Sequence, residues 1–476
     1  MPNKRKKAHF VPIQLDKTPG AASLNGQIAG ALREALGDGR LRPGERLPPA
    51  RALAARLGVN PVTVVTAYRH LAAEGRVESR PGRGTLVCPQ LARAALPAGA
   101  GAGGRSQAPS GAGQPFPMDR LRRIMDQILT AEGAAAFGYD DPAGYPPLLE
   151  TLRGYLVARG FAGVTPERLV IFSGAQQGLS VITQALVRRG DWVLVERPTY
   201  PGFLRLLQRA GAQVEAVDVG PDGPDLRTCE RLFRTRPFRL FYAMPAYQNP
   251  TGACYPRPAL RRLLALCARH GVTLVEDDTV ADLDFGSGRP ACFRQQPGAA
   301  SADVLYLKSL SQLLLPGLRL GFCLAPPATA GVLRQVKQEA DLSTSGFFQR
   351  VLHLFLGEDG FAEHLRELER AERRRFRAML EAARAVLAPA GFRWAEPRGG
   401  VRLWLRLPEA VAGAAGQERF FVACARAGLP VRPGAEFATE GGVMLAGCCC
   451  FNGAGLTVAA FPALFRDLAH AAGGRN

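Results

Sequence analysis

Between Asp303 and Phe322 the chain reads DVLYLKSLSQLLLPGLRLGF, and its chemistry is carried by Ser309, Ser311 and Arg319. A strand-like run from Val304 to Leu307 feeds a hydroxyl-bearing turn, then a Pro316-Gly317 turn and the arginine. Hydroxyls donate hydrogen bonds and a guanidinium supplies a permanent planar charge, so this is half of an anion site. The other half is Phe172-Ser-Gly-Ala-Gln-Gln177, where an apolar run ends at Gly174 and a helix begins at Ala175 and Gln176. Free backbone amides at a helix start suit an anion, and a phosphate fits this pairing.

Such residues need a scaffold that brings strand ends together. From Met118 onward helical patterns alternate with short β-branched runs, at 169–173, 192–196, 213–217, 240–243, 273–276 and 304–307. That alternation predicts a mostly parallel sheet with helices on both faces, and the resemblance set out below implies in addition a small α+β subdomain at the C-terminal end. Sites in such sheets lie beyond the carboxyl ends of the strands, where Gly174 and Ser309 fall.

The first 88 residues follow a different pattern. Leu24, Ile28, Leu32 and Leu36 lie at helical spacing, and Gly37, Gly39 and Arg42-Pro43-Gly44 end that helix. Pro48-Pro49 open a second helix with Leu53, Ala54 and Leu57 inside and Gly58 as its stop. Asn60 caps a third, with Pro61 at its first position and Val64, Val65, Tyr68 and Leu71 facing inward. Two helices joined by Gly58-Val59-Asn60 predict a helix-turn-helix, with the third helix in the recognition role. Two short strands, 76–79 and 85–87, around Pro-Gly-Arg-Gly form a wing.

Residues 89–117 are rich in Ala, Gly, Pro and Ser without apolar period and read as a flexible linker. The expected organisation is therefore a basic tail over 1–20, a DNA-binding domain over 21–88, the linker, and a large domain over 118–474. The 476 residues are 47% hydrophobic, with no run long and apolar enough for a membrane helix and no apolar segment behind the basic start MPNKRKKAHF, which predicts a cytoplasmic protein with no membrane partner. Ten scattered cysteines without a CxxC pair argue against a disulfide framework and against any metal site. A formal charge of +19 and a pI near 10.1 ask for an acidic partner. Residues 1–88 hold fifteen Lys or Arg against six acids, so that partner is DNA.

The run RLRPGERLPPARALAARLGVNPVTVVTAYRHLAAEGRVESRPGRGTLV resembles the GntR winged helix almost end to end. The resemblance implies that Arg51, Asn60 and Thr63, with Arg80 and Arg83 in the wing, meet phosphates or bases. Pro61 stands where many relatives carry an arginine, so the operator is not readable. The large domain resembles the fold type I aminotransferases of MocR-type regulators, which implies a pyridoxal 5′-phosphate pocket and a homodimer. On that pattern Tyr139 reaches the phosphate of the partner's cofactor, and Tyr200 stacks on the pyridine ring. Asn249, in Gln-Asn-Pro-Thr-Gly, hydrogen-bonds the phenolic oxygen, and Asp277 pairs with the ring nitrogen. Gly174, Ala175, Gln176, Ser309, Ser311 and Arg319 then hold the phosphate.

The departures set the chemistry. Gln312 stands where the family has the lysine that forms a Schiff base with the cofactor, and an amide cannot make that bond. Thr279 replaces a tyrosine, and Leu445 stands near the position of the arginine that grips a substrate carboxylate. Lys308 lies too far back along the strand to substitute for the missing lysine. The expectation is a DNA-binding transcriptional regulator with no catalytic residue. Its large domain senses pyridoxal 5′-phosphate, a related vitamer or a similar small anionic effector held without a covalent bond. Two rivals are a working aminotransferase with an accessory DNA module, and a DNA-binding dimer with a vestigial pocket.

Overall fold

The structure is a computed structural model, and the described residues run from 12 to 473 except 14, 17, 19–22, 38–39, 42–44, 74–76, 81–83, 88–114, 287, 300–301, 358–359, 412 and 440–444. The chain divides into two compact units, Met1–Gly104 and Arg105–Asn476. The division falls inside the stretch read as linker, whose residues up to 114 lie outside the described ones.

The first unit contains α1 (Leu24–Gly37), α2 (Ala50–Leu57), α3 (Pro61–Ala73), β1 (Val77–Arg80) and β2 (Gly84–Val87). Gly58 adopts φ 61° and its N–H bonds to Ala54 O, the left-handed stop that a glycine permits without a Cβ clash. Asn60 Oδ1 accepts from Val62 N at 2.9 Å and so caps α3. Ile28, Leu32, Leu53, Val64, Ala67, Tyr68 and Leu71 form the core. Val65, expected inside, is half-buried, and Ala67 takes the inner place because the buried stripe of α3 follows 64, 67, 68 and 71. The wing strands pair antiparallel with Val77 opposite Val87 and Arg80 opposite Gly84.

The second unit is built on an eight-stranded sheet. Its strands are β3 (Leu169–Phe172), β4 (Trp192–Arg197), β5 (Gln213–Gly220), β6 (Gly223–Pro224), β7 (Phe238–Ala243), β8 (Thr273–Asp278), β9 (Val304–Ser309) and β10 (Gly321–Leu324). The order is β3-β10-β9-β8-β7-β4-β5-β6, and the pairs β9/β8, β8/β7, β7/β4 and β4/β5 are parallel. Strand β10 runs antiparallel between β3 and β9 and was not expected. Its four residues, GFCL, are all buried and too few for a period of their own.

Side chains alternate between the faces. After α4 (Met118–Glu132) and α5 (Pro146–Ala158) comes the helix Ala175–Leu186 (α6), and Leu305, Leu307 and Val275 pack into one layer against it, whereas Tyr306 enters the opposite layer. Parity then puts Asp277, opposite Leu307, on the α6 face, and Lys308, opposite Asp278, on the other. A smaller sheet, β11 (Arg402–Arg406), β13 (Cys448–Asn452) and β12 (Val431–Pro433), follows in antiparallel order β11-β13-β12. No described helix is long and apolar enough to cross a membrane.

Candidate functional site

The carboxyl ends of β3, β4, β7, β8 and β9 and the start of β10 lie along one edge of the sheet, because Gly321 pairs with both Phe172 and Ser309. At the anion end, Arg319 takes φ 51° as it leaves the Pro316–Leu318 turn. Its Nη2 donates to Ser173 O at 3.0 Å. Gly174 precedes α6 with φ 86°, and a Cβ built there would sit 2.7 Å from Arg319 Nη2. The guanidinium therefore lies over a glycine that has no room for a side chain, at a helix N-terminus. Gly321 allows β10 the same close approach, since a Cβ there would meet Lys308 O at 2.8 Å and Ala175 N at 3.2 Å. Ser309 Oγ accepts from Ser311 N at 3.4 Å in the turn that leads to the half-buried Gln312.

The ring end is built from three strands. Tyr200 donates to Gln176 Oε1 at 2.8 Å, and its ring covers Gly202, where a Cβ would come within 2.3 Å of it. Asp277 is buried and accepts from Tyr242 Oη at 2.6 Å. Burial raises its carboxyl pKa to about 6, while the Tyr242 hydrogen bond works in the opposite direction. Asn249 is buried, and its Oδ1 has no hydrogen-bond partner among the described residues. An unpaired buried amide costs free energy unless a ligand completes it.

Glu196, at the end of β4, positions this arrangement and was missed by sequence reasoning. Fully buried, it accepts from Met244 N at 2.9 Å, from Gln248 Nε2 at 2.8 Å and from Tyr255. Burial lifts its pKa to about 7 against the pull of those donors. Gln248 also donates to Pro198 O at 2.7 Å, so one side chain fixes the turns that carry Tyr200 and Asn249. The only sequence signal was an acid at the end of an apolar strand.

Lys308 is fully buried and pairs with Asp278 at 2.9 Å and with Asp282. Burial opposes its charge, but the two carboxylates outweigh that and raise its pKa. Asp282 also binds Arg159 at 2.7 Å and Tyr155, and although burial opposes ionisation, Lys308 and Arg159 hold it down at about 2. This amine is engaged on the face away from Asp277. Tyr139 is 85% exposed within its own chain. Leu445 O lies against Gly434, where a Cβ would come within 2.3 Å. In the first unit Arg51 and Asn60 are exposed and Thr63 half-buried, Arg80 ends β1, and Arg83 lies outside the described residues. No cluster of metal-ligating side chains occurs among the described residues.

A mostly parallel sheet with this edge defines a fold type I aminotransferase domain, and a winged helix precedes it in the chain. Residues 107–455 match the family described as aminotransferase class I and II, and residues 24–87 match the gntR family of bacterial regulatory proteins. The chain belongs to the aminotransferase class I and II family and carries a gntR-type domain ahead of it. It is 34% identical over 328 residues to a 2-aminoadipate transaminase of Thermus thermophilus, covering 69% of this chain and 80% of the relative. It is 32% identical over 394 residues to the probable rhizopine catabolism regulatory protein MocR of Rhizobium meliloti, covering 76% and 77%. Among solved structures it resembles the α-aminoadipate aminotransferase LysN of Thermus thermophilus, complexed with N-(5′-phosphopyridoxyl)-L-leucine. The TM-score is 0.69 and the identity 32%, over 75% of this chain and 89% of that one. This fold family binds pyridoxal 5′-phosphate.

Proposed function

We propose that the protein is a DNA-binding transcriptional regulator whose aminotransferase-like domain binds a phosphorylated pyridoxyl ligand reversibly and does not transaminate. The observation that carries this reading is the contrast between the two ends of the pocket's chemistry. Arg319 over Gly174 and the orphaned amide of Asn249 fit such a ligand, whereas Gln312 offers no amine in its turn.

The cofactor, when bound, supplies an electron sink at its ring. Each residue has a task toward it. Arg319, the α6 amides and the hydroxyls of Ser309 and Ser311 hold the phosphate by charge-assisted hydrogen bonds. Tyr200 offers its ring face, and the unpartnered Asn249 Oδ1 accepts from the phenolic hydroxyl. Asp277 holds a carboxylate at the ring nitrogen, steadied by Tyr242. The one nearby lysine along the strand, Lys308, is committed to Asp278 and Asp282. Without a covalent link binding is reversible, which lets occupancy report concentration.

In this reading the protein is a homodimer, and two winged helices read paired half-sites. Phe137 and Tyr139, 62% and 85% exposed within a single chain, support a partner over that surface. Calorimetry with pyridoxamine phosphate, paired with an assay for amino-group transfer, tests the reading. Binding below millimolar without turnover supports it; turnover above a cofactor-only control, or no binding, defeats it.

A further inference from the structure

A closed charge cluster lies behind the ring end of the site, on the other face of the sheet. Lys308 of β9 pairs with Asp278 of β8 at 2.9 Å and with Asp282, and Asp282 pairs in turn with Arg159, just past α5, at 2.7 Å. Tyr306 and Tyr155 donate their hydroxyls to Asp278 and Asp282, and Ala281 N donates to Asp278 Oδ1 at 2.9 Å. Lys308 and both carboxylates are fully buried. Phe161 packs edge-on against Tyr306 with ring centroids 4.8 Å apart, so the surroundings are apolar. Two further groups face the cluster without adding charge at neutral pH. Burial, with Glu276 and Asp278 beside it, keeps the proton on the Cys292 thiol. Glu276 accepts from Phe293 N at 2.9 Å, and burial lifts its pKa to about 8.

Two cations and two carboxylates balance in formal charge. A buried ion cluster stabilises no better than well-packed apolar side chains, so stability alone does not account for it. Its place in the register does. Asp277 lies opposite Leu307 and Asp278 opposite Lys308, and alternation sends the two neighbouring carboxylates to opposite faces. They are about 10 Å apart or less, a range over which a unit charge still acts in buried surroundings. On its own face Asp277 is met by Tyr242, Glu196, Tyr200 and Arg402. After burial and the Tyr242 bond, Asp278 pushes the Asp277 pKa up, and Lys308 and then Arg402 pull it down.

We propose that Lys308 is a positioning residue of the pocket that acts through Asp277: by neutralising Asp278 and Asp282 behind the sheet, it keeps Asp277 ionised for a protonated ring nitrogen. The amine serves the ligand from the far face and never bonds to it. This rests on the reading that the pocket holds a phosphorylated pyridoxyl ligand with its ring nitrogen at Asp277.

The test is calorimetric titration of the full chain with pyridoxamine phosphate across the neutral and mildly acid range, in the unmodified protein and three variants. Lys308→Met leaves one net negative charge behind Asp277, disfavours its carboxylate, and should move the pH at which affinity falls upward by about one unit. Asp282→Asn leaves one net positive charge and should move it downward by about as much. The double variant is neutral again and should restore the unmodified profile. The ligand's own titrations are common to all four proteins and cancel in the comparison. A merely structural role would disturb both single variants alike, whereas charge moves them in opposite directions. Profiles that coincide, or that move the same way in both single variants, overturn the inference while leaving the ligand reading in place. If Lys308→Met does not fold, Asp282→Asn decides alone, and a profile that does not lie below the unmodified one overturns the inference. If the unmodified protein does not bind pyridoxamine phosphate, both readings fall.

Discussion

At Asp277 two effects oppose each other: burial favours the neutral acid, and the Tyr242 hydroxyl favours the carboxylate. With a pKa of about 6, the free site begins to protonate just below neutral pH. A protonated ring nitrogen requires the ionised acid, so affinity for pyridoxamine phosphate should fall as pH drops below 6, by up to about tenfold per unit. The ligand's own phosphate titrates nearby, and Asp277→Asn separates the two contributions. The variant should bind more weakly at pH 7.5 and lose the part of the slope that belongs to the protein. An unchanged slope would remove Asp277 from the ring nitrogen. Arg319→Ala should cost roughly 1.5–3 kcal/mol of ligand affinity, the worth of a charge-assisted bond, with no effect on DNA binding. Calorimetry and gel retardation check the two halves of that statement. Arg319 and Asp277 were legible in the chain because each belongs to a compact motif. Glu196 was not, since it ends an ordinary apolar strand and acquires its meaning only from Met244, Gln248 and Tyr255, which the fold brings to it.

Among the elements, the turn from β4 into the helix Pro201–Ala210 is the most exacting. A Cβ at Gly202 would lie 2.3 Å from the Tyr200 ring and 2.6 Å from Gln176 Oε1, so Gly202→Ala must displace that ring. Overpacking of this kind costs about 1–3 kcal/mol. The expected outcome is a lower melting temperature together with at least tenfold weaker ligand binding, read by calorimetry on the same preparation. Stability lost without any effect on binding would mean that Tyr200 does not stack on the ligand. The six main strands were readable from their β-branched runs, and the helix-turn-helix from Gly58, Asn60 and Pro61. Strand β10 was hidden because its four residues are all buried and carry no alternation.

For the whole molecule, charge distribution argues for the division of labour. The excess of fifteen Lys or Arg over six acids in residues 1–88 predicts DNA binding that weakens steeply with salt. Arg51→Ala should weaken it by about 1–3 kcal/mol if the side chain meets a base edge, and by less if it meets only phosphate. Retardation of promoter DNA by residues 118–474 alone would contradict the assignment.

The central claim is a pocket that holds its ligand without a bond. It is tested most directly by incubating the full chain with pyridoxal 5′-phosphate, reducing with borohydride, and mapping the peptides by mass spectrometry beside a dialysed control. The account predicts saturable binding that dialysis removes and no pyridoxyl group on Lys308 or any other lysine of the large unit, with Gln312→Lys gaining the adduct at that position. A stoichiometric pyridoxyl adduct in the unmodified protein would contradict it.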